Sequence, residues 1–295
     1  MLHEFSITMP YKTIEDTIEC LNAHGIFHLY YEAPIDIIKT QNGYGYEERL
    51  EGTVSLKIYV YPEELKEQPI RFIEKISNIL DVLPASIKHL IQEENQWNQS
   101  FELQDIDLGN GWVIAYPESQ AMHQDKQILH FDPVAAFGTG LHETTQNCLQ
   151  LILEKDFKGK RVLDLGTGSG ILTIATALKQ AAHIVAIDYE EVERELLHNA
   201  SLNHITTPID VIQADLLEGE YRIADVFDLI IINIGGDETV RIVERHSLLE
   251  QSNEFIISGM VEWHVDHVIE LFKAGGFQVR NRLQKNEWVT LHFVR

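Results

Sequence analysis

Cysteine is nearly missing from this chain of 295 residues: Cys20 and Cys148 are the only two, far apart and in no ligand-like spacing. Neither a disulfide framework nor a cysteine-based zinc site is suggested. Long apolar runs are missing as well. The longest strongly apolar stretch is the short one around Leu229 to Ile232, and the opening MLHEFSITMP lacks the basic stretch and apolar core of a signal peptide. No membrane contact is expected, and the chain reads as cytoplasmic. Positive charge is the third scarcity, with 23 Lys and Arg against 46 Asp and Glu and a formal net charge of -23. A field of that sign repels nucleic-acid phosphate and steers basic partners inward, although the same charge also serves plain solubility. Direct nucleic-acid binding is therefore not expected. With 44% hydrophobic residues and a mean hydropathy of -0.13, the chain holds material for about two domains.

The pattern along the chain divides it into three parts. Residues 1–83 read as a small α+β domain. A strand at 3–8, a helix at 11–24 with Ile14, Ile18 and Leu21 on one face, and strand formers at 26–31 come first. A Gly- and Tyr-containing loop at 41–46, a strand at 53–61 and a helix carrying Ile73, Ile76, Ile79 and Leu80 follow. That order resembles a ferredoxin-like βαββα arrangement, which identifies no function. Residues 84–130 read as a connector, with a helix from about Ala85 to Trp97 and a strand-like stretch at 111–117. From Lys160 onward apolar runs at 161–165, 183–187, 209–212, 227–232 and 254–257 alternate with helical segments at 169–180, 190–203, 237–250 and 262–274. Such alternation implies βαβ units and a mainly parallel sheet. Residues 277–283 and 287–294, on either side of Gln284-Lys285-Asn286, add an antiparallel pair.

The strongest local motif is DLGTGSG at 164–170, between a strand and a helix. Glycines at the carboxyl end of a strand let the backbone approach a cofactor closely. The dinucleotide fingerprint fails, because a third small residue is needed where Ile171 stands, and no Gly-Lys-Ser/Thr makes a phosphate-cradling loop. Asp188 closes the next strand, 24 residues after Asp164. A carboxylate there accepts hydrogen bonds from both hydroxyls of an unphosphorylated ribose, or caps the following helix. Asp215, closing the third strand, is a weaker candidate for the adenine end, with capping the competing use.

The glycine loop, Asp188 and the C-terminal hairpin together resemble the class I S-adenosylmethionine methyltransferases over about 131–295: an α/β, Rossmann-like, seven-stranded mixed sheet. Within that class FDPVAAFGTGLHETT at 131–145, Asn233-Ile234, ISGM at 257–260 and NEWVTL at 286–291 resemble the bacterial methyltransferases of ribosomal large-subunit protein eleven. The N-terminal α+β domain and the connector with Trp97 match that family's layout. The resemblance implies S-adenosyl-L-methionine as cofactor, and a basic ribosomal large-subunit protein, held by the N-terminal domain, as substrate. Lysine side chains and the N-terminal amine would be the methylated groups. It places Thr145, Gly166, Gly168, Asp188 and Asn233 at the cofactor, and Phe137 and Gly138 in a loop over its methionine part. The chain departs from the family's usual residues at Val134, Leu141, Glu143, Gly235, Phe101 and Glu102. Two other readings stay open: a methyltransferase of the same class acting on another protein or a small molecule, and a cofactor-binding relative without turnover.

The catalytic candidates are Asn233 and His142. At the end of the fourth strand, the Asn233 amide oxygen is placed to accept hydrogen bonds from an amine and orient its lone pair. His142 is a candidate base, against a plain polar contact at a helix entrance. His264 and His267 beside Glu262 have the spacing of a metal-binding helix face, but a solvated face explains them better and no metal is expected.

Overall fold

The computed structural model describes residues 2–65, 67–92, 103–117, 119, 123–133 and 139–295. The chain forms two compact units, Met1–Thr40 with Tyr44–Phe101 and Gln41–Gly43 with Glu102–Arg295. In the first unit the elements run β1 (Leu2–Pro10), α1 (Ile14–Ala23), β2 (Leu29–Tyr30), β3 (Ile35–Thr40), β4 (Gly43–Glu48), β5 (Thr53–Val60), α2 (Pro69–Leu80) and β6 (Ile87–Gln92). Strands order as β2-β5-β1-β6, all antiparallel. Phe5 and Ile7 of β1 and Leu56 and Ile58 of β5 alternate inward and pack with Leu21, Phe72, Ile76 and Ile87. This is the ferredoxin-like pattern with its final strand present.

Two expectations need correction here. The helix expected from Ala85 is a short 3-10 turn at Pro84–Ser86 followed by strand β6, and its continuation to Trp97 lies outside the described residues. Ile87, Leu90 and Ile91 have helical spacing, but only Ile87 is buried while Leu90 and Ile91 are 58% and 55% exposed. The backbone of this segment pairs with β1 instead. The loop expected at 41–46 is largely strand: β3 and β4 form a two-stranded sheet around Gln41-Asn42. No face of that pair is continuously buried, which erased the alternation. The Asn42-Gly43 dipeptide was the available turn signal.

The second unit adds β7 (Ile106–Asp107), β8 (Trp112–Ala115), β9 (Gln127–His130), α3 (Glu143–Leu153), β10 (Arg161–Leu165), α4 (Ile171–Leu178), β11 (His183–Asp188) and α5 (Glu193–Leu202). It continues with β12 (Ile209–Gln213), β13 (Leu229–Asn233), α6 (Gly236–Arg245), β14 (Glu254–Val261), α7 (Asp266–Ala274), β15 (Gln278–Lys285) and β16 (Trp288–Val294). The described residues of 84–130 divide between the two units. β6 belongs to the first unit, while Trp112, Ile114, Leu129 and Phe131 are buried in the second.

Seven strands order as β12-β11-β10-β13-β14-β16-β15. The first five are parallel and β16 runs antiparallel to both neighbours. Both faces are covered. Val162, Leu229 and Ile231 face one core with α3 and α4, while Leu163, Leu165, Ile230 and Ile232 face the other with α6 and α7. Burial on both sides is why these strands read as continuous apolar runs. Strand order reverses between β10 and β13, and the register pairs Leu165 with Ile232. Gly166 and Asn233 thus leave the sheet side by side at its switch point, where open α/β sheets form their ligand crevice.

Candidate active site

A cavity of about 750 Å³ lies at this switch point, lined among others by Thr145, Gly166, Gly168, Asp188, Leu216 and Asn233. Its floor is the turn after β10. The Gly166 and Thr167 amides both donate to the Ile187 carbonyl, at 2.8 and 3.3 Å, which folds the loop against β11. Gly166 has φ +67°, and a Cβ there would stand 2.5 Å from Ile234 Cγ2. Only glycine lets the two strand ends come this close. A second such contact lies in the ISGM stretch: Gly259, at φ +83°, would place a Cβ 2.2 Å from the Ile234 carbonyl oxygen. That glycine seats β14 against the turn that follows Asn233.

Asp164 sits beneath the loop, 1% exposed, with Oδ2 accepting from the hydroxyls of Thr167 at 2.8 Å and Thr173 at 2.7 Å. Burial pushes its carboxyl up to about 6, against the lowering effect of those hydroxyls and with a smaller push from the Asp188 charge. Asp188 Oδ2 accepts from the Gly168 amide at 2.8 Å and Oδ1 from the Glu190 amide at 3.0 Å. Each oxygen keeps a second lone pair, so capping and ribose binding are compatible uses of one carboxylate. Asp215 Oδ1 accepts from the Leu217 and Glu218 amides at 2.8 and 2.9 Å. Those amides hold its carboxyl below the ordinary range. It also lines the cavity.

Thr145, Gly166, Gly168, Asp188 and Asn233, all expected from the sequence, come together here. Phe137 and Gly138 lie outside the described residues. The segment that follows them is anchored, since the buried Tyr116 hydroxyl donates to the Thr139 carbonyl at 2.8 Å. His142 stands elsewhere, as the N-cap of α3: its Nδ1 accepts from the Thr144 amide at 3.3 Å and its ring meets Trp288 edge-on at 4.6 Å. The NEWVTL stretch thereby acquires a use, packing at the start of α3, where Asn286 also donates to Glu143 at 3.1 Å. Residues not anticipated are Tyr189, directly after the strand-ending Asp188, Leu216, directly after Asp215 just beyond β12, and Glu238, Arg241 and Ile242 on one face of α6. The positions after Asp188 and Asp215 and the i, i+3, i+4 spacing in α6 were the available signals.

The donor set suits S-adenosylmethionine. The Asp188 carboxylate closes β11 on one side, and on the other the buried Asn233 Oδ1 has no hydrogen-bond partner among the described residues. An unpaired buried acceptor is costly unless a ligand or substrate group completes it. The reversed strand order, the glycine turn after β10 and the carboxylate closing β11 define a class I methyltransferase that uses S-adenosylmethionine.

The comparisons with known proteins narrow the class. Residues 2–295 match the family described as ribosomal protein L11 methyltransferase (PrmA). The ribosomal protein L11 methyltransferase of Bacillus subtilis is 30% identical over 98% of this chain and 97% of that protein. Its counterpart from Halalkalibacterium halodurans is 28% identical over 98% and 96%. The crystal structure of ribosomal protein L11 methylase from Lactobacillus delbrueckii subsp. bulgaricus is similar at 28% identity and a TM-score of 0.56. It covers 65% of this chain and 99% of that one. The chain belongs to the ribosomal protein L11 methyltransferase family, and it is an S-adenosylmethionine-dependent protein methyltransferase. No helix among the described residues is long and apolar enough to cross a membrane.

Proposed function

We propose that this enzyme methylates amine nitrogens of ribosomal protein L11, at lysine side chains, the N-terminal amine or both. The observation that carries the proposal is the unpartnered, buried Asn233 Oδ1 lining the cavity beside the glycine turn. When bound, S-adenosylmethionine supplies an electrophilic sulfonium methyl group. Thr145, Gly166, Gly168 and Asp188 hold the cofactor in this reading, with Phe137 and Gly138 over its methionine part. Asn233 Oδ1 accepts a hydrogen bond from a neutral amine N–H and aims the nitrogen lone pair, and positioning of this kind is the main demand of such a displacement. The net charge of -23 favours a basic protein substrate over nucleic acid, and the N-terminal unit is the part assigned to hold it. Cytoplasmic residence follows from that substrate.

Transfer of labelled methyl groups into ribosomes lacking the modification tests this. One labelled protein of L11 size, with label on lysine or the N-terminal amine, supports it. Label in a different species moves the substrate elsewhere, and cofactor binding without transfer overturns the enzymatic reading.

A further inference from the structure

Outside the cofactor cavity, the described residues bring Asp237, His264 and His267 together, with their ligand atoms all within 4.8 Å of one another. Asp237 lies in the first turn of α6, His264 in the turn after β14, and His267 in the first turn of α7. Sequence spacing linked the two histidines with Glu262 on a solvated face. Glu262 instead accepts from Gln284 at 2.7 Å, His264 precedes α7, and the two histidine side chains are only 25% and 32% exposed.

The hydrogen bonding of the cluster is incomplete. His264 Nε2 lies 2.9 Å from Asp237 Oδ1, a normal hydrogen bond. His267 Nε2 lies 3.3 Å from the same oxygen, but neither of its ring nitrogens, both buried, has a hydrogen-bond partner among the described residues. The two rings stand 4.1 Å apart with a 41° tilt. One carboxylate oxygen thus faces two imidazoles and satisfies one. Tetrahedral zinc, with bonds of about 2.0 to 2.2 Å, sets ligand atoms roughly 3.3 to 3.5 Å apart. The 3.3 Å pair already has that spacing, and the 2.9 Å pair reaches it by opening about half an ångström. The positive ends of α6 and α7 oppose a cation, but only as partial charges, against three direct ligand bonds.

We propose that Asp237, His264 and His267 form a site for a divalent transition cation of the zinc type, with water as its fourth ligand. Two nitrogens and a carboxylate with one open position are an established zinc ligand set. Asp237 follows Asn233 by four residues, and a Cβ on Gly236 would stand 3.3 Å from His267 Cε1. The ion therefore ties the start of α6, just after Asn233, to the turn after β14. It is a positioning site, independent of the substrate proposed above.

The test uses tag-free full-length protein freed of metal with a chelator and titrated with Co²⁺. One Co²⁺ per chain, with the intense visible bands of four-coordinate nitrogen-ligated cobalt and displacement by Zn²⁺, is the expected result. Asp237→Asn, His264→Gln and His267→Gln should each weaken binding by more than about 100-fold, beyond what loss of an outer-shell partner costs. His204→Asn, outside the cluster, should not. Zn²⁺ should raise the melting temperature of the parent protein and leave that of a folded Asp237→Asn/His267→Gln variant unmoved. Absence of the four-coordinate spectrum at stoichiometric metal overturns the proposal, as does its persistence in the double variant.

Discussion

Asp188 Oδ2 accepts the Gly168 amide proton at 2.8 Å, joining the end of β11 to the middle of the glycine turn. The Glu190 amide on Oδ1 holds the other carboxylate oxygen. The carboxylate is thus oriented before any ligand arrives, and binding need not spend free energy on ordering it. Asp188→Ala should weaken S-adenosylmethionine binding by roughly 2 to 4 kcal/mol, about 30- to 700-fold in Kd. Titration calorimetry on the purified variant reads this directly. An unchanged Kd would leave Asp188 as a support for the loop alone.

The seat of β14 on the Asn233 turn gives a second expectation. Gly259→Ala introduces a Cβ 2.2 Å from a backbone oxygen at a position with φ +83°. Left-handed strain of about 1 to 2 kcal/mol adds to overpacking of about 1 to 3 kcal/mol. Because the obstacle is backbone, the turn must move, and cofactor affinity should fall along with stability. Urea unfolding and calorimetry on the same preparation check both. Full affinity in a destabilised variant would separate Gly259 from the site.

A buried carboxyl group, Asp164, and a half-buried one, Glu254, give the cofactor-free protein opposite responses to acid. At Glu254 burial opposes ionisation, but hydrogen bonds from His292 and Lys155 and the Lys155 charge outweigh it and bring the carboxyl from 4.5 to about 2. The stability it contributes is complete above pH 4.5 and lost as pH falls toward 2. Asp164 is raised from 3.8 to about 6, so stability falls by about 3 kcal/mol as pH climbs through that window. Urea midpoints should therefore peak between pH 4 and 5. Asp164→Asn should flatten the neutral side of that peak and Glu254→Gln the acid side. A midpoint that rises steadily from pH 4 to 7 would contradict the Asp164 assignment.

The acceptor amine sets the pH dependence of turnover. A lysine with an unperturbed pKa near 10.4 is neutral in fewer than about one molecule in a thousand at pH 7. The sulfonium charge of the cofactor and burial both lower it in the complex. His142 is engaged as a helix cap through Nδ1. Single-turnover methylation should rise along one limb that reports the amine, and His142→Ala should keep that shape while losing about 1 kcal/mol of stability. Disappearance of a limb near pH 6 to 7 in the variant alone would make His142 the base.

Legibility followed burial. Strands β10, β11 and β13 are covered on both faces and announced themselves as apolar runs, whereas β6 has one buried side chain, Ile87, and its spacing mimicked a helix. The hairpin of β3 and β4 exposes most of its residues, so period two left no trace. At the site, the glycine turn and Asp188 could be read because a strand end and its loop are contiguous in sequence. Glu238 and Arg241 reach the cavity only once α6 has packed. The Asp237 and His264 contact spans 27 residues, beyond any local pattern.

The placement of β6 has a consequence for the growing chain. Its partner β1 is made first, yet that edge stays unpaired until residues 87–92 have been synthesised. Through that interval the nascent protein presents an open strand carrying Phe5 and Ile7, the kind of edge that recruits foreign strands. A truncation at residue 83 would make the interval permanent, so such a fragment should self-associate where one ending after Gln92 stays monodisperse.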